Sequence, residues 1–430
     1  MDTFVIQGGA KLKGDIQVKG AKNCALAILP ATTLIKGKVI LHNMPKIGDV
    51  LIMLGILESM GAKVKWTAEN TVEVDNSQIN PEKMDYSLVG KIRASLMLIG
   101  PLAARFGRIT ISTPGGCKIG TRPIDAHLQG LEALGFSVTI DENKFTVVAG
   151  NKFPDEIVMR EFSPTGVQNI LLAAIGLQRP VTIKIAVPQY SVLDLCWFLQ
   201  DCGAVIEGIG THTLKIRGSD SDLRATEYTI MPDPIEAGTF MALAAAANAQ
   251  IQIKEVPLDF LVLELEKFRE VGVNFTIKNI RLSVNKHYEV GDIAVSKSTG
   301  LKPLAKLHNM PAPGFMPDLL QPFAVMLTQA KGVSLIYDWM YDGRIKYVKD
   351  LKRMGADMEV LDAHRVMVAG PTPLFGKTTT SYDLRAGATM IIAALIAEGE
   401  SVIKDIHQVD RGYEKIDERL QALGADIKRQ

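Results

Sequence analysis

Met60-Gly61-Ala62-Lys63-Val64 is the first of six segments that share one pattern. The others are Leu134-Gly135-Phe136-Ser137-Val138, Cys202-Gly203-Ala204-Val205-Ile206, Val271-Gly272-Val273-Asn274-Phe275, Met354-Gly355-Ala356-Asp357-Met358 and Leu423-Gly424-Ala425-Asp426-Ile427. In each, a helical pattern stops at a glycine and a short strand-like run follows. A glycine just past a helix end is the usual left-handed cap, and six such caps could arise independently. Their spacing argues otherwise, because successive glycines lie 74, 68, 69, 83 and 69 residues apart. A repeated unit of about 70 residues explains that regularity.

Each unit also contains a second helical pattern. These begin near Asn23, Lys91, Gly166, Glu236, Asp318 and Leu384, and are rich in Ala, Leu, Ile and Met with little charge. Helices that are apolar on most faces are buried ones. A short turn and a strand follow each of them: Lys38-Val39-Ile40-Leu41, Arg108-Ile109-Thr110-Ile111, Val181-Thr182-Ile183-Lys184, Ile251-Gln252-Ile253-Lys254, Val333-Ser334-Leu335-Ile336 and Ser401-Val402-Ile403-Lys404. The chain is therefore expected to be α/β, with helices and strands alternating around a buried helix and three units in each of two halves. Residues 229–233 and 19–21 are the candidate hinges.

Composition narrows the function. The 430 residues carry a net charge of +1, so bulk electrostatics give no case for nucleic acid or an anionic membrane. The longest apolar runs, such as Met390 to Ala397, are too short to cross a bilayer. Cys24, Cys117, Cys196 and Cys202 show no CxxC spacing, and the N-terminus has no signal-like apolar segment. Reduced thiols and a cytoplasmic location are expected. The seven histidines have no HxxxH or HExxH spacing, so no metal is expected, and no cofactor is expected either. Neither GxxxxGK[ST] nor a strand-borne GxGxxG is present, which argues against P-loop and dinucleotide sites.

The chemistry concentrates in Ser112-Thr113-Pro114-Gly115-Gly116-Cys117-Lys118-Ile119-Gly120-Thr121-Arg122-Pro123-Ile124-Asp125. A strand-like run enters this loop and a helix-like run leaves it. Lys118 and Arg122 favour a thiolate at Cys117, or an anion beside the thiol. Pro123 suits the first turn of a helix, whose N-terminus attracts anions. Lys22, Arg93, Arg122, Arg344, Arg385 and Arg411 all fall near the ends of expected elements, a pattern suited to phosphate and carboxylate together. Asp318, Asp383 and Asp410 each open an expected helix, where capping is the ordinary role of an Asp.

Gly20-Ala21-Lys22-Asn23, Pro114-Gly115-Gly116-Cys117, Gly120-Thr121-Arg122-Pro123, Pro232-Asp233-Pro234-Ile235-Glu236-Ala237-Gly238-Thr239 and Asp410-Arg411-Gly412-Tyr413 are more specific. Together they resemble the UDP-N-acetylglucosamine 1-carboxyvinyltransferases of the EPSP synthase superfamily, in order and over essentially the whole chain. The resemblance implies a two-domain inverse α/β barrel of six βαβαββ repeats, three per domain. One domain would span 22–230 and carry the Cys117 loop. The other would combine 1–21 with 231–430 and carry Asp318 and Arg411, with the active site in the cleft between the two.

The resemblance also implies a reaction. The enolpyruvyl group of phosphoenolpyruvate moves to the 3-hydroxyl of UDP-N-acetylglucosamine and phosphate leaves, the first committed step of peptidoglycan synthesis. Carried over by motif, Cys117 is the general acid and the thiol alkylated by fosfomycin, and Asp318 the base at the sugar hydroxyl. Lys22, Arg122 and Arg411 would bind the phosphate side of phosphoenolpyruvate, while Arg344 and Arg385 hold its carboxylate. Asn23 would orient the substrates. Arg93 and Arg122-Pro123-Ile124-Asp125-Ala126 would contact the UDP-sugar, with Ser163, Thr165, Gly166 and Met340 also among the binding residues.

The chain departs from the family pattern in places. Ser163-Pro164-Thr165-Gly166-Val167 stands where Ser-Val-Gly-Ala-Thr is common, and Val187-Pro188-Gln189-Tyr190 replaces a Glu-Pro-Glu segment. Pro317 replaces the Thr before Asp318, Tyr341-Asp342-Gly343-Arg344 replaces Phe-Glu-Asn-Arg, and Gln408 replaces the His of His-x-Asp-Arg. The cationic residues are retained, so the departures bear on the nucleotide end. Three other readings are weighed. EPSP synthase shares the fold and the cradle but lacks the Pro-Gly-Gly-Cys loop. A paralogue could use a different nucleotide sugar, and a non-catalytic binding paralogue should have lost Cys117, Asp318 or a cradle Arg. Oligomeric state is left open.

Overall fold

The computed structural model describes residues 2–112, 124–142, 144–218, 221–298 and 300–430. They form two compact units. One is made of the described residues from Gly20 to Met231, and the other joins Pro232–Gln430 to the residues that precede Gly20.

Each unit is built on three inner helices. In the first these are α1 (Lys22–Ala31), α2 (Ile99–Phe106) and α3 (Pro164–Gly176). In the second they are α4 (Pro234–Ala246), α5 (Leu320–Leu327) and α6 (Leu384–Ile396). Every residue of α5 is buried, as is every residue of α4 from Pro234 to Ala245. Their sequences explain this, since a helix with apolar side chains on all faces gains from burial on every side, at about 1.5–3 kcal/mol for each large aliphatic side chain. Small residues allow close approach. A Cβ on Gly100 of α2 would stand 2.2 Å from the Asn169 carbonyl oxygen of α3.

Around the helices lie six sheets, one per repeat. The pattern is clear in Leu307–His308, α5, Gly332–Tyr337, the outer helix Tyr347–Arg353, Asp357–Val360 and Arg365–Gly370. The strands on either side of α5 pair in parallel, and the last two form an antiparallel ladder with Asp357 opposite Ala369. The sheet containing Arg108–Ser112 has three strands among the described residues, and the others have four. All six repeat glycines follow their outer helices with positive φ: Gly61 at 103°, Gly135 at 105°, Gly203 at 102°, Gly272 at 86°, Gly355 at 107° and Gly424 at 95°. Only glycine takes that conformation without strain.

Both units recruit strands from distant sequence. Thr3–Gln7 lies between Glu400–Lys404 and Asp426–Arg429, antiparallel to each. Lys13–Gln17 pairs in parallel with Gln250–Pro257, and Glu227–Thr229 pairs in parallel with Lys38–His42. One expectation needs correcting. Asp410-Arg411-Gly412-Tyr413 does not open the final helix, which is Ile416–Ala422, preceded by Lys415 at φ 45°. Asp410 instead ends the helical turn His407–Asp410, and Arg411-Gly412-Tyr413 follow it. No helix among the described residues is long and apolar enough to cross a membrane.

Candidate active site

In the unit from Gly20 to Met231, Lys22 and Asn23 open α1. Lys22 Nζ lies 2.8 Å from Asp49 Oδ2, and both side chains are largely buried. Asp49 sits in the first turn of the helix Gly48–Ser59, where an acid is favoured by the helix dipole. The pair fixes the ammonium in place at the head of α1. The amide nitrogen of Asn23 donates to the Tyr190 hydroxyl at 2.9 Å. Tyr190 begins its own helix, which is capped by Gln189: the Gln189 side chain accepts from Ser191 N–H. The altered segment Val187–Tyr190 therefore does two structural jobs, capping a helix and orienting Asn23.

A second cluster forms around His127. Its Nε2 lies 3.1 Å from Thr165 Oγ1, and the amide nitrogen of Asn169 donates to its Nδ1 at 3.0 Å. Burial, and then the charge of Arg93, push His127 down to about 3, so the ring is neutral. With Nδ1 accepting, Nε2 carries the proton and donates to Thr165. Ser163 caps α3, its hydroxyl accepting from Gly166 N–H at 3.2 Å, and Gly166 packs against Ala126. Arg93, Ala126, Thr165 and Gly166 are thus brought together, with Asp125 exposed beside them and Ile124 just before it. Cys117, Arg122 and Pro123 lie outside the described residues.

In the unit of Pro232–Gln430, Asp318 does not cap a helix. It occupies the turn Pro317–Leu319 ahead of α5. Its carboxylate accepts from Arg344 Nη2 at 2.6 Å and from Arg385 Nε at 2.9 Å. Burial alone would raise its pKa, but the two guanidinium groups outweigh that and hold it well below the usual carboxylate range. Arg344 is only partly used: Nε and Nη1 are buried and have no hydrogen-bond partner among the described residues. Its guanidinium carbon stands 5.0 Å from the Tyr341 ring centroid. Arg385 Nη1 donates to the Tyr413 hydroxyl at 3.1 Å, which lies 3.2 Å from Thr239 Oγ1. Arg411 Nη1 donates to Gln408 Oε1 at 3.0 Å. Met340 is half-buried, three residues after the strand Gly332–Tyr337. Asp383 does cap α6, accepting from Arg385 N–H and Ala386 N–H.

Sequence reasoning missed Asp49, His127, Tyr190 and Tyr413. Each is an ordinary residue in its local pattern and becomes notable only through a partner far along the chain. Tyr413 was visible as part of a motif, but its contact with Arg385 was not. Among the described residues there is no group of three or more His, Cys, Asp or Glu able to hold a metal ion.

The fold and these polar clusters define the class as an α/β protein of six-repeat architecture with a carboxylate held by paired arginines. The EPSP synthase (3-phosphoshikimate 1-carboxyvinyltransferase) family model matches residues 6–420, and the chain belongs to that family. It is 38% identical to a UDP-N-acetylglucosamine 1-carboxyvinyltransferase 2 of Listeria monocytogenes, over 100% of this chain and 98% of that one. It is 39% identical to a UDP-N-acetylglucosamine 1-carboxyvinyltransferase of Halothermothrix orenii, over the full length of both. The enolpyruvyl transferase NikO from Streptomyces tendae has the same fold, with a TM-score of 0.87 at 24% identity, covering 100% of this chain and 99% of that one. EPSP synthase from Acinetobacter baumannii superposes with a TM-score of 0.77 at 19% identity, over 100% of both chains.

Proposed function

We propose that this protein is a UDP-N-acetylglucosamine 1-carboxyvinyltransferase, moving the enolpyruvyl group of phosphoenolpyruvate to the sugar 3-hydroxyl and releasing phosphate. The observation that carries the reading is the Asp318–Arg344–Arg385 cluster, with two donor positions of Arg344 unused. On this reading a base stands beside guanidinium groups suited to a planar carboxylate, as the reaction requires. Relatives of that name match over the full length of the chain.

The mechanism is addition and then elimination. Asp318 takes the proton of the 3-hydroxyl, whose oxygen bonds to C2 of phosphoenolpyruvate. Cys117 delivers a proton to the methylene carbon, giving a tetrahedral ketal with a methyl group. Loss of a methyl proton, as the C2–O bond to phosphate breaks and phosphate leaves with its electron pair, then re-forms the double bond as the enol ether of the product. Lys22, Arg122 and Arg411 hold the phosphate, and Arg344 and Arg385 hold the carboxylate and the developing charge. Asn23, oriented by Tyr190, aligns the substrates. Arg93, Pro123, Ile124, Asp125, Ala126, Ser163, Thr165, Gly166 and Met340 contact the UDP-sugar. The same reading implies a cytoplasmic enzyme at the first committed step of peptidoglycan synthesis, inhibited by fosfomycin at Cys117.

The test is phosphate release from phosphoenolpyruvate with and without UDP-N-acetylglucosamine, for wild type and Cys117→Ala, with fosfomycin as a thiol-directed control. Sugar-dependent release that Cys117→Ala reduces by roughly 100-fold or more supports the reaction, acceptor and acid together. Tight phosphoenolpyruvate binding without release on this sugar would move the reading to another nucleotide sugar, for which the altered Ser163–Val167 and Val187–Tyr190 segments give room.

A further inference from the structure

One buried carboxylate takes no part in the mechanism above. Glu264 lies in the first turn of the outer helix Val262–Val271 and is 3% exposed. Its Oε1 accepts from the backbone N–H of Met316 at 2.8 Å. Met316 is the residue that leads into the turn Pro317–Leu319, and so into Asp318.

Apart from the Asp318 carboxylate, held by Arg344 and Arg385, the segment has few other polar attachments. Pro311, Pro313 and Pro317 have no N–H to donate. The Met310, Gly314 and Leu319 N–H groups bond to Phe315, Pro311 and Met316 carbonyls, within the segment itself. One turn along the same helix, Phe268 supplies a second attachment. Its ring is 4.4 Å from that of Phe323 on α5, which meets the Phe315 ring edge-on at 5.0 Å. Residues four apart on one helix face therefore reach the segment by two routes, Glu264 directly through the Met316 N–H and Phe268 indirectly, through Phe323 to Phe315.

We propose that Glu264 is a positioning residue for Asp318, fixing the turn that carries it by holding the Met316 N–H. The inference rests on the reading of Asp318 as the base. The surrounding charges are engaged elsewhere. Lys267 pairs with Glu270, and Asp318 with Arg344 and Arg385. His308, on the strand before the segment, is pushed down by burial and by Lys306 and Lys267. Burial, opposed by the N–H groups of Met316 and of Glu264 itself, pushes Glu264 up to about 7. Burial outweighs those N–H groups, so ionisation near neutrality favours the opened, solvated carboxylate and the tie is firmest while Glu264 is protonated.

Hydrogen exchange across residues 310–319, and steady-state phosphate release, compared among wild type, Glu264→Leu and Glu264→Gln test this. Glu264→Leu should speed exchange in 310–319 at least about tenfold, lower kcat about tenfold or more, and move either KM less than about threefold. Glu264→Gln keeps a neutral acceptor and serves where Glu264→Leu does not fold. It should lack the loss of protection of 310–319 that wild type shows, beyond the intrinsic rate, as pH rises from about 6 to 8 and the buried carboxyl ionises. Unchanged exchange in both variants would overturn the tie. Faster exchange with an unchanged kcat would overturn the positioning role. A wild type that releases no phosphate would sink the proposed reaction, and the exchange data would still decide whether Glu264 holds the turn.

Discussion

At the scale of single residues, the decisive arrangement is a carboxylate shared by two arginines. Asp318→Asn leaves Arg344 and Arg385 buried with a neutral partner, which should cost on the order of 3–5 kcal/mol. The pH dependence has a definite sign. The folded-state pKa of Asp318 is depressed, so its stabilisation is present above about pH 4 and is lost as acid protonates it. The stability gap between wild type and Asp318→Asn in denaturant melts should therefore narrow from pH 7 to about pH 3; an unchanged gap would contradict the pairing. Tyr190→Phe removes the partner of the Asn23 amide and should lower kcat/KM by roughly 2- to 10-fold, equivalent to about 0.5–1.5 kcal/mol, with little change in thermal stability. Equal kcat/KM values would show that Asn23 needs no such orientation. The cationic residues were readable from sequence because Arg and Lys at element ends have few other uses. Their partners were not, because Asp49 and Tyr190 look like ordinary first-turn residues until the chain brings them to Lys22 and Asn23.

At the scale of elements, the inner helices were legible because they lack a polar face, and the six terminating glycines because their φ values demand glycine. The limits of the helices were less so. The helix expected near Lys91 begins as a tight helical stretch at Arg93–Leu98 and becomes α2 only at Ile99. How inner helices meet was not legible at all. Asn169 of α3 accepts from Gly100 N–H at 2.7 Å and donates to the Leu96 carbonyl at 3.0 Å and to His127. An Asn in an apolar helix reads as a defect until these three partners are known. Gly100→Ala forces a methyl group against the Asn169 backbone, and should destabilise the protein by about 1–3 kcal/mol, measured as a fall in denaturation midpoint at unchanged m-value. An unaffected midpoint would mean that α2 and α3 can separate without loss.

At the scale of the whole molecule, the repeat was visible in sequence but its closure was not. Nothing local in Thr3–Gln7 says that it pairs with strands near residue 400 and near the C-terminus. The consequence is asymmetric. A fragment of residues 20–231 contains its own closing strand, Glu227–Thr229, and should fold alone. A fragment of 232–430 lacks Thr3–Gln7 and Lys13–Gln17, and should gain cooperative unfolding only when a peptide of residues 2–19 is added. Cooperative melting of 232–430 without the peptide would refute this. The same closure bears on biosynthesis. Phe4 and Ile6, fully buried in the folded protein, are made long before their partners Arg429 and Ile427. At roughly 5–20 residues per second, translation leaves that strand without its final partner for on the order of 20 to 80 s. Thr3–Gln7 therefore waits for both of its partner strands until the last residues are made, and needs shielding in the meantime.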